Sequence, residues 1–193
     1  MPRGIFKGVF TMHKGFTVWF TGIPKSGKTT LSNLLHHRLQ GRGVTNVEVL
    51  DGEEVRMHLS SGLGYTREDV ATENERLGWV ARLLTKNNIP NLVCAISPYR
   101  EIRDGIRKSI EHAGGEGSFV EVFVDCPVEV CEERDTDGLY GKARSGSIKH
   151  LPGIDEPYEP PHVPEVRMRT DQTAPEECVE MILSHLESRG FIG

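Results

Sequence analysis

Short apolar runs alternate along the chain with stretches whose apolar residues recur at the helical interval, the pattern of parallel strands joined by crossover helices that cover both sheet faces. Five runs read as strands: Phe16–Thr21, Asn46–Asp51, Asn91–Ser97, Phe119–Asp125 and Val166–Thr170. The third is apolar at every position from Leu92 to Ile96, which predicts a central strand buried on both faces. Between the runs, Leu31, Leu34, Leu35 and Leu39 form one helical stripe, Leu77, Val80, Ala81 and Leu84 a second, and Cys178, Met181, Ile182 and Leu186 a third. These stripes and runs make up the expected core of an α/β fold with a mainly parallel five-stranded sheet. From Asp137 to Pro164 the text turns Gly- and Pro-rich and loses its apolar period, so 137–164 is read as a lid loop over a site.

With 193 residues the chain has room for one such core. Residues 1–14 are read as an N-terminal extension or linker and 15–193 as the domain. A formal net charge of -5 argues against non-specific nucleic-acid binding, which depends on dense Lys and Arg. No apolar run approaches a bilayer span, and the four cysteines, Cys94, Cys126, Cys131 and Cys178, have neither zinc-site spacing nor the density of a secreted disulfide scaffold. The expectation is a cytoplasmic protein that acts on a small molecule, away from membranes.

Directly after the first strand stands Gly22-Ile23-Pro24-Lys25-Ser26-Gly27-Lys28-Thr29, followed by Thr30 and the first helical stripe. This satisfies G-x-x-x-x-G-K-[ST] at every fixed position, in the strand-to-helix context that a phosphate-binding loop requires. Glycines let successive backbone N–H groups converge on phosphate oxygens, and the helix N-terminus adds positive potential. Lys28 is expected on the β- and γ-phosphates and the Thr29 hydroxyl on Mg²⁺, which predicts a P-loop NTPase fold using ATP and Mg²⁺. No N-K-x-D guanine signature is present, which leaves a kinase, an ATPase or a nucleotide-binding regulator.

The second strand ends at Asp51, followed by Gly52-Glu53-Glu54-Val55-Arg56, on the carboxyl edge of the sheet where open α/β folds bind ligands. A carboxylate there can orient a hydroxyl, accept its proton or help hold Mg²⁺, and it can equally cap the next helix. Together GIPKSGKTT, LDGEEVR, LGYTREDV, AISPYREIRD, FVEVFVDCPVEVCEERDTDGLYGKARSG and GIDEPYEPP resemble the adenylylsulfate kinase (APS kinase) family, over nearly all the chain from Phe16 onward. The resemblance implies transfer of the γ-phosphate of ATP to the 3′-hydroxyl of adenosine 5′-phosphosulfate to give PAPS, the activated sulfate of sulfate assimilation, by a homodimeric enzyme. It implies catalytic roles for Lys28, Asp51 and Ser97, with Ser97 matching a serine known in the family as a phosphoserine intermediate. Two further readings of Ser97 stay open, an acceptor-placing residue and a strand end before Pro98. By the same resemblance Arg134, Lys142 and Arg144 contact the nucleotide, and Arg56, Tyr65, Arg76, Ile96, Lys149 and Leu151 bind the acceptor.

The resemblance breaks in one place above all. The family text near the acceptor is close to F-S-x-x-D-R-x-x-N-I-R-R, and here Val70, Glu73 and Glu75 stand at an arginine, the asparagine and another arginine, with Arg76 kept. Each charge change at surface dielectric alters attraction for an anion by about a kilocalorie per mole or more. The family's F-T-G becomes Leu151-Pro152-Gly153, and Arg67 is a candidate replacement cation. A paralogous kinase with the same ATP machinery and another nucleotide acceptor, such as a cytidine diphosphoramidate, is the second reading; a non-catalytic nucleotide-binding regulator is the third.

Overall fold

A computed structural model describes residues 14–193, so the reading of 1–14 as an extension lies, apart from Lys14, outside the described residues. Five strands, β1 (Thr17–Thr21), β2 (Glu48–Asp51), β3 (Asn91–Cys94), β4 (Phe119–Asp125) and β5 (Val166–Arg169), form one parallel sheet in the order β2-β3-β1-β4-β5. The middle place belongs to β1; β3, expected there, lies beside it and is indeed buried throughout. Its apolar run outlasts the strand: Ala95 and Ile96 lie past its last residue, Cys94, and line a cleft.

Side chains alternate across the sheet as strand geometry demands. Val18, Phe20, Leu92, Val120 and Val122 pack on one face against Leu31, Leu35 and Leu39 of α1 (Lys28–Gly41) and against Val179, Ile182 and Leu186 of α7 (Pro175–Ser188). Trp19, Val93 and Phe119 pack on the other against Leu77 and Ala81 of α3 (Arg67–Lys86) and Ile106 and Ile110 of α4 (Arg100–Gly114). Met181, assigned to the α7 stripe from its spacing, faces solvent at 43% exposure, and Val179 and Leu183 carry that face instead. Among the described residues no helix is long and apolar enough to cross a membrane.

Helix starts follow local chemistry. The Asp51 side chain accepts from the Glu53 N–H (2.9 Å) and so begins α2 (Gly52–Leu59), while Thr66 caps α3 and Pro175 opens α7. The stretch 137–164, read as lacking regular structure, contains α6 (Leu139–Arg144). Tyr140 and Ala143, one turn apart, bury that short helix against Ile23 and against Cys131 of α5 (Val128–Glu133), a spacing too brief to register as periodic.

Helices α3 and α4 meet closely at Gly78, where an added Cβ would lie 2.8 Å from an Ile106 side-chain carbon. Gly78→Val is therefore expected to overpack this contact and to lower stability by about 2 kcal/mol or more, read as a shift of the urea midpoint without a change in slope.

Candidate active site

A cleft of about 820 Å³ opens along the carboxyl ends of β1, β2 and β3. The loop 22–29 forms its floor. Gly22 passes so near the sheet that a Cβ would come within 2.5 Å of the Val124 carbonyl, and Gly27, at φ 107°, makes the left-handed turn that releases the chain into α1. Ser26 is buried in the loop, its carbonyl accepting from Thr170 Oγ1 (2.8 Å), and Ile23 packs against Tyr140 and Leu151 without itself lining the cleft. Pro24 accepts from the Tyr140 hydroxyl (2.7 Å), which ties the loop to α6. Lys25 pairs with Asp137, so the start of the segment 137–164 is tethered to the loop as well.

Lys28 turns its ammonium back onto the carbonyls of Gly22 and Ile23, at 2.8 Å each. Burial lowers its pKa to about 8, against the opposing influence of Cys94, Cys131, Asp51 and Glu53. Thr29 donates its hydroxyl to Asp51 Oδ2 (3.0 Å), while Asp51 Oδ1 keeps the α2 cap. The capping reading of Asp51 thus uses one oxygen and leaves the other turned to Thr29 in the cleft. A hydroxyl and a carboxylate brought together beside a phosphate-binding loop are hard oxygen donors of the kind Mg²⁺ takes. Thr30 lines the same cleft one residue on.

At the far end stand Arg56, Tyr65, Glu73, Asn74, Ile96 and Ser97. The Arg56 guanidinium donates to Glu73 (2.6 Å) and to the carbonyls of Leu63 (2.9 Å) and Gly64, and lies 4.3 Å from the Tyr65 ring centre. Burial pushes the Glu73 carboxyl above its usual range, with Arg56 pulling the other way. Ser97 is almost fully buried at φ 45°; its hydroxyl donates to Asn74 Oδ1 and accepts from Trp19 Nε1, at 3.0 Å each. Its carbonyl accepts from Arg103 Nη1 (2.5 Å), and the same guanidinium reaches Glu121 of β4 (2.8 Å) and the Glu159 carbonyl (2.7 Å). Arg103 thus joins the sheet, the Ser97 turn and the far end of the segment 137–164, where Tyr158 also bonds Thr21 (2.9 Å).

Not every expected residue reaches the cleft. Arg134 lines it and is held by the Thr170 carbonyl (2.7 Å), and Leu151 lines it from the lid. Lys142 donates to the Asp137 carbonyl (3.3 Å), Arg144 pairs with Glu132 (2.7 Å), Arg76 donates to the Leu59 carbonyl (2.5 Å) and Lys149 is exposed; none of the four lines the cleft. Arg67, the candidate replacement cation, stacks on Tyr99 (3.9 Å) and faces Glu159 (3.8 Å) instead. Glu75 is exposed on α3, whereas Glu73 lines the cleft. Sequence reasoning missed Asn74, Arg103 and Tyr158, whose partners Ser97, Ser97 and Thr21 lie 23, 6 and 137 residues away in the chain.

Because the ammonium of Lys28 sits near pH 8 in this cleft, a triphosphate arriving beside it raises that value. Calorimetry of Mg·ATP binding in buffers of different ionisation enthalpy is expected to show proton uptake at pH 8 to 9 that vanishes below about pH 7, where Lys28 is already charged.

The family model described as adenylylsulphate kinase matches residues 14–169. The adenylyl-sulfate kinase of Synechococcus sp. (strain JA-2-3B'a(2-13)) is 49% identical over 179 residues, covering 93% of this chain and 98% of its own. That of Rippkaea orientalis is 50% identical over 179 residues, covering 93% and 95%. Among solved structures, the Mycobacterium tuberculosis APS kinase in complex with AMPPNP and APS superposes with a TM-score of 0.85 at 40% identity, covering 91% of this chain and 99% of that one. With a phosphate-loop motif between strand and helix, a carboxylate beside it in the cleft and relatives matched nearly end to end, the chain belongs to the adenylylsulphate kinase family.

Proposed function

We propose that this chain transfers the γ-phosphate of ATP to the 3′-hydroxyl of adenosine 5′-phosphosulfate. The observation that carries the reading is the convergence of Lys28, Thr29 and Asp51 in one cleft with Arg56 one helical turn beyond, in the order a phosphate donor, a hydroxyl and an anionic acceptor tail would need. The likeness to the M. tuberculosis enzyme, whose structure holds AMPPNP and APS, supports the same assignment.

Each residue has a physical task. The loop amides and Lys28 hold the β- and γ-phosphates, the ammonium exchanging its two carbonyl partners for phosphate oxygens. Asp51, its orientation fixed by the Glu53 N–H, accepts a hydrogen bond from the acceptor hydroxyl and aims it at the γ-phosphorus. Thr29 and Asp51 would hold Mg²⁺, which would supply neutralisation of phosphate charge when bound. Arg134 faces the donor nucleotide; Tyr65, Ile96 and Leu151 supply apolar contact to the acceptor. Lys142, Arg144 and Lys149 enter the proposal as lid cations that require movement of 137–164, and Arg76 as a support of the α2 end. Ser97 is assigned a positioning role: both hydrogen-bonding sides of its hydroxyl are engaged by Asn74 and Trp19, and phosphoryl transfer in P-loop enzymes proceeds without a covalent enzyme intermediate. A reducing, cytoplasmic setting is supported by four buried free thiols, and a homodimer by the family resemblance.

The second reading, a kinase for another nucleotide acceptor such as a cytidine diphosphoramidate, draws on Glu73, which neutralises the acceptor-side arginine. Coupled ADP-release assays across an acceptor panel separate the two: turnover with APS is expected, and turnover only with another nucleotide would transfer the assignment to it. Lys28→Ala is expected to lose at least about a hundredfold in turnover, the size of one lost transition-state charge contact. Ser97→Ala is expected to keep turnover within about tenfold of the parent; radiolabel retained on the parent protein after denaturation, and absent from the variant, would restore the phosphoserine step.

A further inference from the structure

Four charged side chains line the acceptor end of the cleft, Asp51, Glu53 and Glu73 against Arg56. Asp51 bonds Thr29 and the α2 cap and Glu53 is exposed to solvent, so the charge an acceptor's anionic tail meets is decided by the shielded pair of Glu73 and Arg56. In that pair the Glu73 carboxylate sits 2.6 Å from Arg56 Nη1, both side chains being largely shielded, at 13% and 22% exposure. Shielding matters because a contact ion pair there is weakly screened by water and salt. An incoming anion therefore finds a neutral pair, not a free cation.

The other attachments of Arg56 do not depend on Glu73. Its Nη2 is held by the Leu63 and Gly64 carbonyls, and its plane lies against the Tyr65 ring. Removing the carboxylate would leave the guanidinium in place with Nη1 released toward the cleft.

We propose that Glu73 is a specificity-determining residue: its carboxylate occupies the seat on Arg56 that an acceptor anion needs, so that acceptor binding is an exchange of one anion for another on a fixed guanidinium. The inference rests on the reading of the cleft as an APS site and deepens it. An acceptor is then selected for an anionic group strong enough to displace an internal carboxylate, and weakly anionic nucleotides are turned away. Phosphosulfate, with two adjoining acidic centres, has the charge to do so.

The test compares the parent protein with Glu73→Gln, and with Glu73→Asn should the first fold poorly. It measures APS affinity by calorimetry with Mg²⁺ and AMPPNP present, and KM and kcat by ADP release. The expected result is at least a fivefold tightening of APS binding and an equal fall in its KM, with kcat and the KM for ATP changed less than twofold. A purely structural role for the pair would move ATP and APS parameters together. Unchanged or weaker APS binding in the variants overturns the proposal, because Glu73 would then be a bystander or a direct partner of the acceptor. Binding by the variant but not by the parent supports the proposal while removing APS as the natural acceptor; failure of every protein to bind APS overturns both.

Discussion

A side chain at position 22 would collide with the Val124 carbonyl, and this close approach governs how the chain leaves the middle strand. With no Cβ there, the backbone after Thr21 can fold tightly over the sheet edge, curl through Lys25 at φ 60° and Gly27 at φ 107°, and enter α1 at Lys28. The edge thereby gains a pocket of aligned peptide dipoles without any side chain having to supply charge. Lys28 is drawn into that pocket, Thr29 is carried to Asp51, and neighbouring loops are built around the turn, Thr170 and Tyr140 each bonding it from a different direction. A parallel sheet assists because all five strands end on the same side.

A second organising element lies below the cleft. Arg103 and Glu121 are a buried ion pair, with Arg107 and Glu165 extending it toward the surface. Burying charge costs stability unless every donor finds a partner, and Arg103 spends its donors on β4, on the Ser97 turn and on the lid at Glu159. A packed apolar trio could fill the same space but could not fix three backbone segments at hydrogen-bond distances. The segment 137–164 is thus tethered at both ends, by Lys25 to Asp137 at one and by Arg103 and Tyr158 at the other, with α6 and the turn at 153–155 between them.

The fold was legible wherever burial was continuous and local. Val18, Phe20, Leu31, Leu35 and Ile182 announce their faces by spacing alone, and the phosphate loop by residues that must be consecutive. Legibility failed where a short element met a long-range partner. The α6 helix has one buried turn, too little to carry a period, and Met181 kept the helical interval while lying just outside the contact arc. The site was half readable: Lys28, Thr29 and Asp51 fall together as their motifs imply, whereas Asn74 and Arg103 show their importance only through Ser97, which no local pattern links to them. Charge counting along the chain flagged Glu73 and Glu75 alike, and only the helix phase of α3 turns the first into the cleft and the second outward.

The depressed pKa of Lys28 has a chemical consequence of its own. Burial lowers its pKa to about 8, so in mildly alkaline solution far more of this amine is neutral than of an ordinary surface lysine with a pKa near 10.4. Neutral amines attack electrophiles, so acylating reagents of modest reactivity will modify Lys28 ahead of its exposed counterparts, and a nucleotide seated in the loop will shield it. The same burial that equips this side chain to grip phosphate also makes it an addressable handle for a covalent ligand.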